Sequence, residues 1–233
     1  MTNLSSNTEI VKYLEQFVSE KRLEKFKKVL DQRMNHLQIV LENVYQAHNA
    51  SAVLRSADCF GIQYIHAIES RHIYKVSEDV AMGSSNWISL KRYNGKENNT
   101  IDCLKKLKSD GFRIVATTPH KNDCDIKELP VEEKFVLVFG TEQEGISQEV
   151  FNLADEFVKI PMVGFTESFN ISVSAALCMY ELTNRIRSNK NILWRLSQQE
   201  KEETYLNWLR YSVKNSGLIE KYYYNNEKNQ LRL

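Results

Sequence analysis

Proline and glycine are scarce, 3 and 8 among 233 residues, which excludes collagen-like and linker-like chains, whose compositions depend on those two residues. Four cysteines, Cys59, Cys103, Cys124 and Cys178, are scattered without a C-x-x-C pair or a histidine at zinc-ligand spacing. Neither a metal site nor a disulfide framework is expected, and reduced thiols packed as small hydrophobes are the simpler reading. No apolar run approaches the roughly 20 residues needed to cross a bilayer, and Met1–Glu9 is polar where a secretory signal would be apolar. A soluble, cytoplasmic protein without a membrane partner is expected. No G-x-G-x-x-G follows a strand-like run, and Walker, G-x-S-x-G and H-E-x-x-H patterns are absent. The ordinary dinucleotide and phosphoryl-transfer sites are thereby excluded, as is the usual glycine-rich methyltransferase loop.

What is present is enough apolar residue, 42%, to bury a sizeable core in one to two domains. The net charge of +1 hides an asymmetry along the chain. Residues 1–37 carry seven basic and five acidic side chains, 38–182 carry fourteen and twenty, and 183–233 carry ten and five. Basic ends around an acidic middle suggest arms that grip a polyanion, although solvated helix faces rich in Lys and Arg would give the same count.

Residues 9–32 place Val11, Leu14, Val18, Leu23, Phe26, Val29 and Leu30 at three-to-four spacing, which predicts two helical stretches. At about 100° per residue Lys21, Arg22, Lys25 and Lys28 fall near one face, a stripe suited to RNA. A buried strand is expected over 37–41, then a polar loop and a helix from Asn49 to Phe60, with Asn49 as N-cap and Gly61 past the end. On that helix Ala52, Val53, Ser56, Ala57 and Phe60 form a stripe. Arg55 falls opposite it with Leu54 also off it, so this face is expected to meet a partner or a cleft. Strand-like runs at 63–68, 112–117 and 135–139 alternate with helix-like runs at 100–109 and 148–153. Such alternation predicts an α/β fold on a mainly parallel sheet, with ligands gathered beyond the strands' carboxyl ends. After Arg187 the aromatic-rich, charged chain reads as helices packed on the body. The expected organisation is a basic helical extension over 1–37, a central domain over 38–188 and a second helical extension over 189–233.

The chain is organised around Lys159–Ala176, which packs a strand end, a polar loop and a helix start into eighteen residues. Ser168 and Asn170 stand at that helix entrance, where they either cap orphan backbone donors or hold a ligand against exposed N–H groups. Two other polar loops follow apolar runs: His48-Asn49 leading to Arg55, and Gly140-Thr141-Glu142-Gln143-Glu144-Gly145-Ile146-Ser147.

These three blocks, in this order, with Leu41-Glu42-Asn43-Val44 before the first and Gly83-Ser84-Ser85-Asn86-Trp87 in mid-chain, resemble motifs one, two and three of the SPOUT methyltransferases, specifically the TrmH-type tRNA guanosine 2'-O-methyltransferases. The likeness covers roughly residues 20–187. It implies an α/β-knot, a deep C-terminal trefoil knot that periodicity would never propose, in a homodimer that binds S-adenosyl-L-methionine among the knot loops and acts on tRNA. Carried over by position, Asn49 and Arg55 match the catalytic pair of motif one, Glu142 the motif-two carboxylate, and Ser168 and Asn170 the motif-three pair. Gly140, Ile160 and Phe169 match positions lining the cofactor pocket. Glu167 departs from the pattern, standing where many relatives carry Gln. The implied reaction is attack of a ribose 2'-hydroxyl on a methyl group, with guanosine 18 of the D-loop as target. Arg55 is not expected to be a simple base, because a guanidinium stays protonated to a pKa above roughly 12. Stabilising the developing alkoxide or an adjacent phosphate suits it better. The rivals are a ribosomal-RNA 2'-O-methyltransferase of the same superfamily, a catalytically silent RNA-binding module on this scaffold, and an ordinary nucleotide-binding oxidoreductase, disfavoured by the missing glycine fingerprint.

Overall fold

The computed structural model describes residues 4–70, 77–95, 97–118, 124–141 and 143–230. The chain divides into two compact units, Arg33–Arg195 and Met1–Gln32 with Leu196–Leu233.

Unit Arg33–Arg195 is built on β1 (Leu37–Glu42), β2 (Tyr64–Ile68), β3 (Ser89–Tyr93), β4 (Arg113–Thr117), β5 (Cys124–Asp125), β6 (Phe135–Phe139) and β7 (Glu156–Lys159). They form one sheet in the order β3-β2-β1-β6-β4-β7-β5. Every strand pairing among the described residues is parallel. Parallel strands need crossovers, which here carry α3 (Ala47–Phe60), α4 (Glu78–Ala81), α5 (Asn99–Ser109) and α6 (Gln148–Leu153), while α7 (Ile171–Ser188) follows the last strand. Side-chain alternation divides the core between the two faces. Phe135, Leu137 and Phe139 of β6 join the cluster that holds Val53 of α3 and Leu182 of α7, while Val136 and Val138 join Leu104 of α5 and Val150 of α6. All five β6 side chains are buried, each contributing roughly 1.5–3 kcal/mol relative to exposure. A strand covered on both faces reads as an unbroken apolar run, as Phe-Val-Leu-Val-Phe does.

α3 differs from its expected form at two points. Its buried residues include Ala50, Val53, Leu54 and Ala57, so the core stripe is turned to include Leu54, which is fully buried rather than set off beside Arg55. The helix packs against α7 and also against α4 and the 3-10 turn Ser84–Asn86, which buries more than one face. It also begins earlier than Asn49: Gln46 takes the N-cap position without a side-chain bond, and Asn49 sits in the first turn. Gly61 ends it at φ +78°, returning its N–H to the Ala57 and Asp58 carbonyls, a left-handed stop that glycine adopts without strain.

The other unit contains α1 (Leu4–Glu15), α2 (Glu20–Leu30), α8 (Gln198–Ser212) and α9 (Ser216–Gln230). Phe26 packs edge-on to Tyr205 and against Trp208, the Tyr205 hydroxyl donates to Glu15 at 2.6 Å, and Ser197 and Glu200 form a capping box that starts α8. Among the described residues no helix is long and apolar enough to cross a membrane.

Candidate active site

The strand order turns at β1, whose neighbours are β2 on one side and β6 on the other. Beyond the carboxyl ends at such a turn the crossovers diverge and leave a crevice. A cavity of about 640 Å³ opens beside it, beyond the ends of β6, β4 and β7. Its walls come from the end of β4 (Thr117, Thr118), the loop after β6 (Gly140, Thr141, Gln143, Glu144, Gly145, Ile146), the end of β7 with the loop that follows (Val158, Lys159, Ile160, Met162, Glu167, Ser168), and the entrance of α3 (Gln46, Asn49).

The loop after β6 is closed upon itself. Thr141 N–H donates to the Gly145 carbonyl at 2.8 Å, Gly145 N–H returns to Thr141 at 3.1 Å, and Glu144 N–H reaches Thr141 Oγ1 at 2.9 Å. Gly140 lies so close beneath this turn that a β-carbon there would stand 2.0 Å from the Gly145 carbonyl oxygen. Only glycine fits, and Gly140, Thr141, Gln143, Glu144 and Gly145 line the cavity.

On the opposite wall Asn170 works with both ends of its amide. Its Oδ1 accepts from Ser172 N–H at 2.8 Å and from Ser172 Oγ at 2.6 Å, capping α7, and its Nδ2 donates to Asn49 Oδ1 at 3.1 Å. Asn49, buried, donates in turn to Gln46 Oε1 at 3.2 Å. The capping reading of Asn170 holds, since its oxygen caps α7, while its N–H₂ ties the entrance of α7 to that of α3 on the cavity wall.

The structure gathers Asn49, Gly140, Ile160, Ser168, Phe169 and Asn170 around this cavity. Arg55 does not line it; its side chain is exposed on α3 with no partner among the described residues. Glu142 lies outside the described residues. Lys21, Arg22, Lys25 and Lys28 are exposed on α2 in the helical unit. Sequence reasoning missed Thr117, Thr118 and Cys178. The first two stand at the end of β4, where the parallel-sheet rule would have found them. Cys178 lies on the second turn of α7, its thiol pushed up to about 12 by burial, so it serves as apolar lining and not as a nucleophile. Among the described residues no group of three or more His, Cys, Asp and Glu could hold a metal ion.

An open parallel sheet flanked by helices, with a cavity assembled from separated loops at its carboxyl edge, defines the class of the protein as α/β. The chain belongs to the SpoU rRNA methylase family, which it matches over residues 36–180. It is 40% identical to a tRNA (guanosine(18)-2'-O)-methyltransferase of Borreliella burgdorferi over 89% of this chain and 93% of that protein. It is 34% identical to the enzyme of the same name from Aquifex aeolicus over 81% and 88%. The fold is similar to the crystal structure of the A. aeolicus TrmH/SpoU tRNA modifying enzyme, with a TM-score of 0.75 at 29% identity, covering 84% of this chain and 98% of that one.

Proposed function

We propose that the protein transfers a methyl group from S-adenosyl-L-methionine to a ribose 2'-hydroxyl of tRNA, at guanosine 18 of the D-loop, as a TrmH-type SPOUT enzyme. The observation that carries the reading is the Asn49–Asn170 hydrogen bond, which joins the first and third motifs across one cavity. The names of the relatives supply the substrate class. In this reading the chain from β6 to α7 forms the trefoil knot, residues 38–188 carry out methyl transfer, and the helical extensions over 1–37 and 189–233 grip the RNA.

The cavity suits the cofactor. Its volume falls within the range of small-molecule sites, and Glu144 and Glu167 are on the wall, where carboxylates are favourable to a cation. When bound, S-adenosyl-L-methionine supplies an electrophilic methyl group on a sulfonium. Gly140, Ile160, Ser168, Phe169 and Asn170 would hold it, with Glu142 fixing neighbouring groups. Asn49, oriented by Gln46 and Asn170, positions the substrate. Arg55, exposed on α3, stabilises the developing alkoxide or the adjacent phosphate through the positive charge of its guanidinium. Lys21, Arg22, Lys25 and Lys28 supply phosphate contacts.

A homodimer is part of the reading. Phe169, Val173, Leu177 and Tyr180 lie at helical spacing along α7 and its entrance, each at least 42% exposed. An apolar stripe of that kind needs covering, and pairing of two copies through it would set their cavities side by side. The name of the matched family favours one second reading, methylation of ribosomal RNA. Purified protein incubated with S-adenosyl-L-methionine and either a tRNA or a ribosomal-RNA transcript, followed by mass-spectrometric mapping, separates the two. A 2'-O-methylguanosine confined to the D-loop is expected; methylation of the ribosomal transcript alone would overturn the tRNA assignment.

A further inference from the structure

Glu42 is a buried carboxylate that the proposed chemistry does not use. It stands at the carboxyl end of β1, one residue beyond the Leu41–Phe139 pair, and is 1% exposed. Burying a charge there requires compensation by several donors. Glu42 Oε1 accepts from Thr100 Oγ1 at 2.8 Å and from Ser147 Oγ at 2.7 Å, and Oε2 accepts from Ser147 N–H at 3.0 Å. Thr100 lies in the first turn of α5 and Ser147 is the N-cap of α6. Residues at two helix starts therefore hold this carboxylate.

Ser147 is also the last residue of the segment that begins at Gly140. The turn within that segment is already locked by the reciprocal Thr141–Gly145 bonds and by the close approach of Gly140 to Gly145. Such a turn moves as a piece. Its near end is fixed by β6, which pairs with β1 through Phe139, and its far end is fixed where Glu42 holds both the hydroxyl and the N–H of Ser147. Glu42 itself does not line the cavity.

We infer that Glu42 is a positioning residue for methyl-donor binding: through Ser147 it fixes the turn closed by Thr141 and Gly145 in place on the cavity wall. The inference rests on the reading of the cavity as a methyl-donor site. Glu42→Gln keeps the volume but points an N–H₂ at one of the Ser147 donors. Ser147→Ala removes the hydroxyl, Ser147→Thr restores it, and Thr100→Val removes the bond to α5 while leaving the hold on Ser147.

The test measures binding of S-adenosyl-L-methionine by calorimetry, KM for that donor against kcat, and hydrogen exchange over residues 143–150 in the cofactor-free protein. Glu42→Gln and Ser147→Ala are expected to raise Kd and KM for the donor by roughly tenfold, the effect of one buried donor left unpaired, with kcat at saturating donor falling much less. Ser147→Thr should return Kd to near the wild-type value, and Thr100→Val should change it less than about threefold. Exchange over 143–150 should quicken in Glu42→Gln and not in Thr100→Val. The inference is overturned if Thr100→Val weakens binding as much as Ser147→Ala, which would make Glu42 a general structural support, or if Glu42→Gln binds like wild type. If Glu42→Gln fails to fold, the serine pair decides. Wild-type protein that binds no donor would refute the reading of the cavity, and the exchange data would then judge the Glu42 hold by themselves.

Discussion

Asn170 performs two tasks that a single substitution can separate. In Asn170→Ala, α7 loses its side-chain cap, which costs about 1 kcal/mol, and buried Asn49 loses the donor at 3.1 Å, which costs about 1 kcal/mol more. For a protein of this size about 2 kcal/mol lowers Tm by roughly 4–8 °C. Asn170→Asp keeps an acceptor for Ser172 N–H, and a carboxylate at a helix start is at least as good a cap. It has no N–H to offer Asn49. The Asn49 amide can satisfy the new carboxylate only by turning over, which abandons Gln46 on the cavity wall. The expected result is a Tm for Asn170→Asp within about 2 °C of wild type, with methylation slowed roughly tenfold or more, as for the loss of a buried hydrogen bond. Differential scanning fluorimetry and single-turnover methylation read the two quantities on the same samples. Wild-type turnover in the aspartate variant would show that Asn170 is a cap and nothing further, and would remove the observation on which the functional reading rests.

Arg55→Ala should lower kcat at least about a hundredfold, as loss of a charge-stabilising group does, while the donor Kd measured by calorimetry stays within about twofold because Arg55 does not line the cavity; Arg55→Lys should recover only part of the rate. Gly140→Ala should abolish donor binding and cost several kcal/mol in urea unfolding, since its β-carbon would meet backbone at 2.0 Å. Reversing Lys21, Arg22, Lys25 and Lys28 to Glu should weaken tRNA binding at low salt and flatten the plot of log K against log salt by roughly 3 units, each lost phosphate contact removing about 0.7–0.9. His66 is lowered to about 4 by burial and by nearby Lys91, partly opposed by Asp110; its Nε2–H donates to Gln38 Oε1 at 2.7 Å while buried Nδ1 has no partner among the described residues. Between its unfolded value of 6.5 and about 4 the unfolded chain binds the extra proton. Stability should therefore fall by about 3 kcal/mol as pH drops through that window, and urea titrations of His66→Gln should show a visibly shallower decline.

Much of the sheet was legible because parallel strands buried on both faces leave apolar runs: β1, β4 and β6 lie where the sequence placed them. β3 was not legible, since Ser-Leu-Lys-Arg-Tyr belongs to the sheet's outer edge, with Lys91 and Arg92 exposed. β5 is two residues long, below what any period can register. On α3 the stripe failed for a physical reason. Ser51 is fully buried and its Oγ accepts from Ser77 N–H at 2.7 Å, so a second face is covered by the segment that follows β2, and a single-stripe template cannot describe a helix packed on two sides. The site followed the same division. Motif residues on the cavity wall stood out because they sit in recognisable blocks. Thr117 did not, and the hold of Glu42 on Ser147 could not be read from the block that contains Glu42, because both depend on strand order and on contacts distant in sequence.

The charge asymmetry also changes meaning in three dimensions. Part of the basic excess beyond residue 182 is structural: Arg185 donates to the carbonyls of Ile126 at 3.0 Å and Leu129 at 2.7 Å, and Arg187 donates to that of Phe60 at 3.0 Å while stacking on Trp194. Arg33, near the other end, pairs with Asp58. These guanidiniums are occupied by backbone carbonyls and a carboxylate within the sheet unit and cannot be counted as an RNA grip. What belongs to the helical unit, residues 1–32 and 196–233, is twelve basic and ten acidic side chains, close to balance. Any hold on a polyanion must then come from where the charges stand. On α2 five basic residues, Lys21, Arg22, Lys25, Lys27 and Lys28, are all exposed within two turns, a spacing at which their fields add within one Debye length. In the proposed reading such a patch would give affinity without sequence preference and would leave the choice of nucleotide to the loops around the cavity.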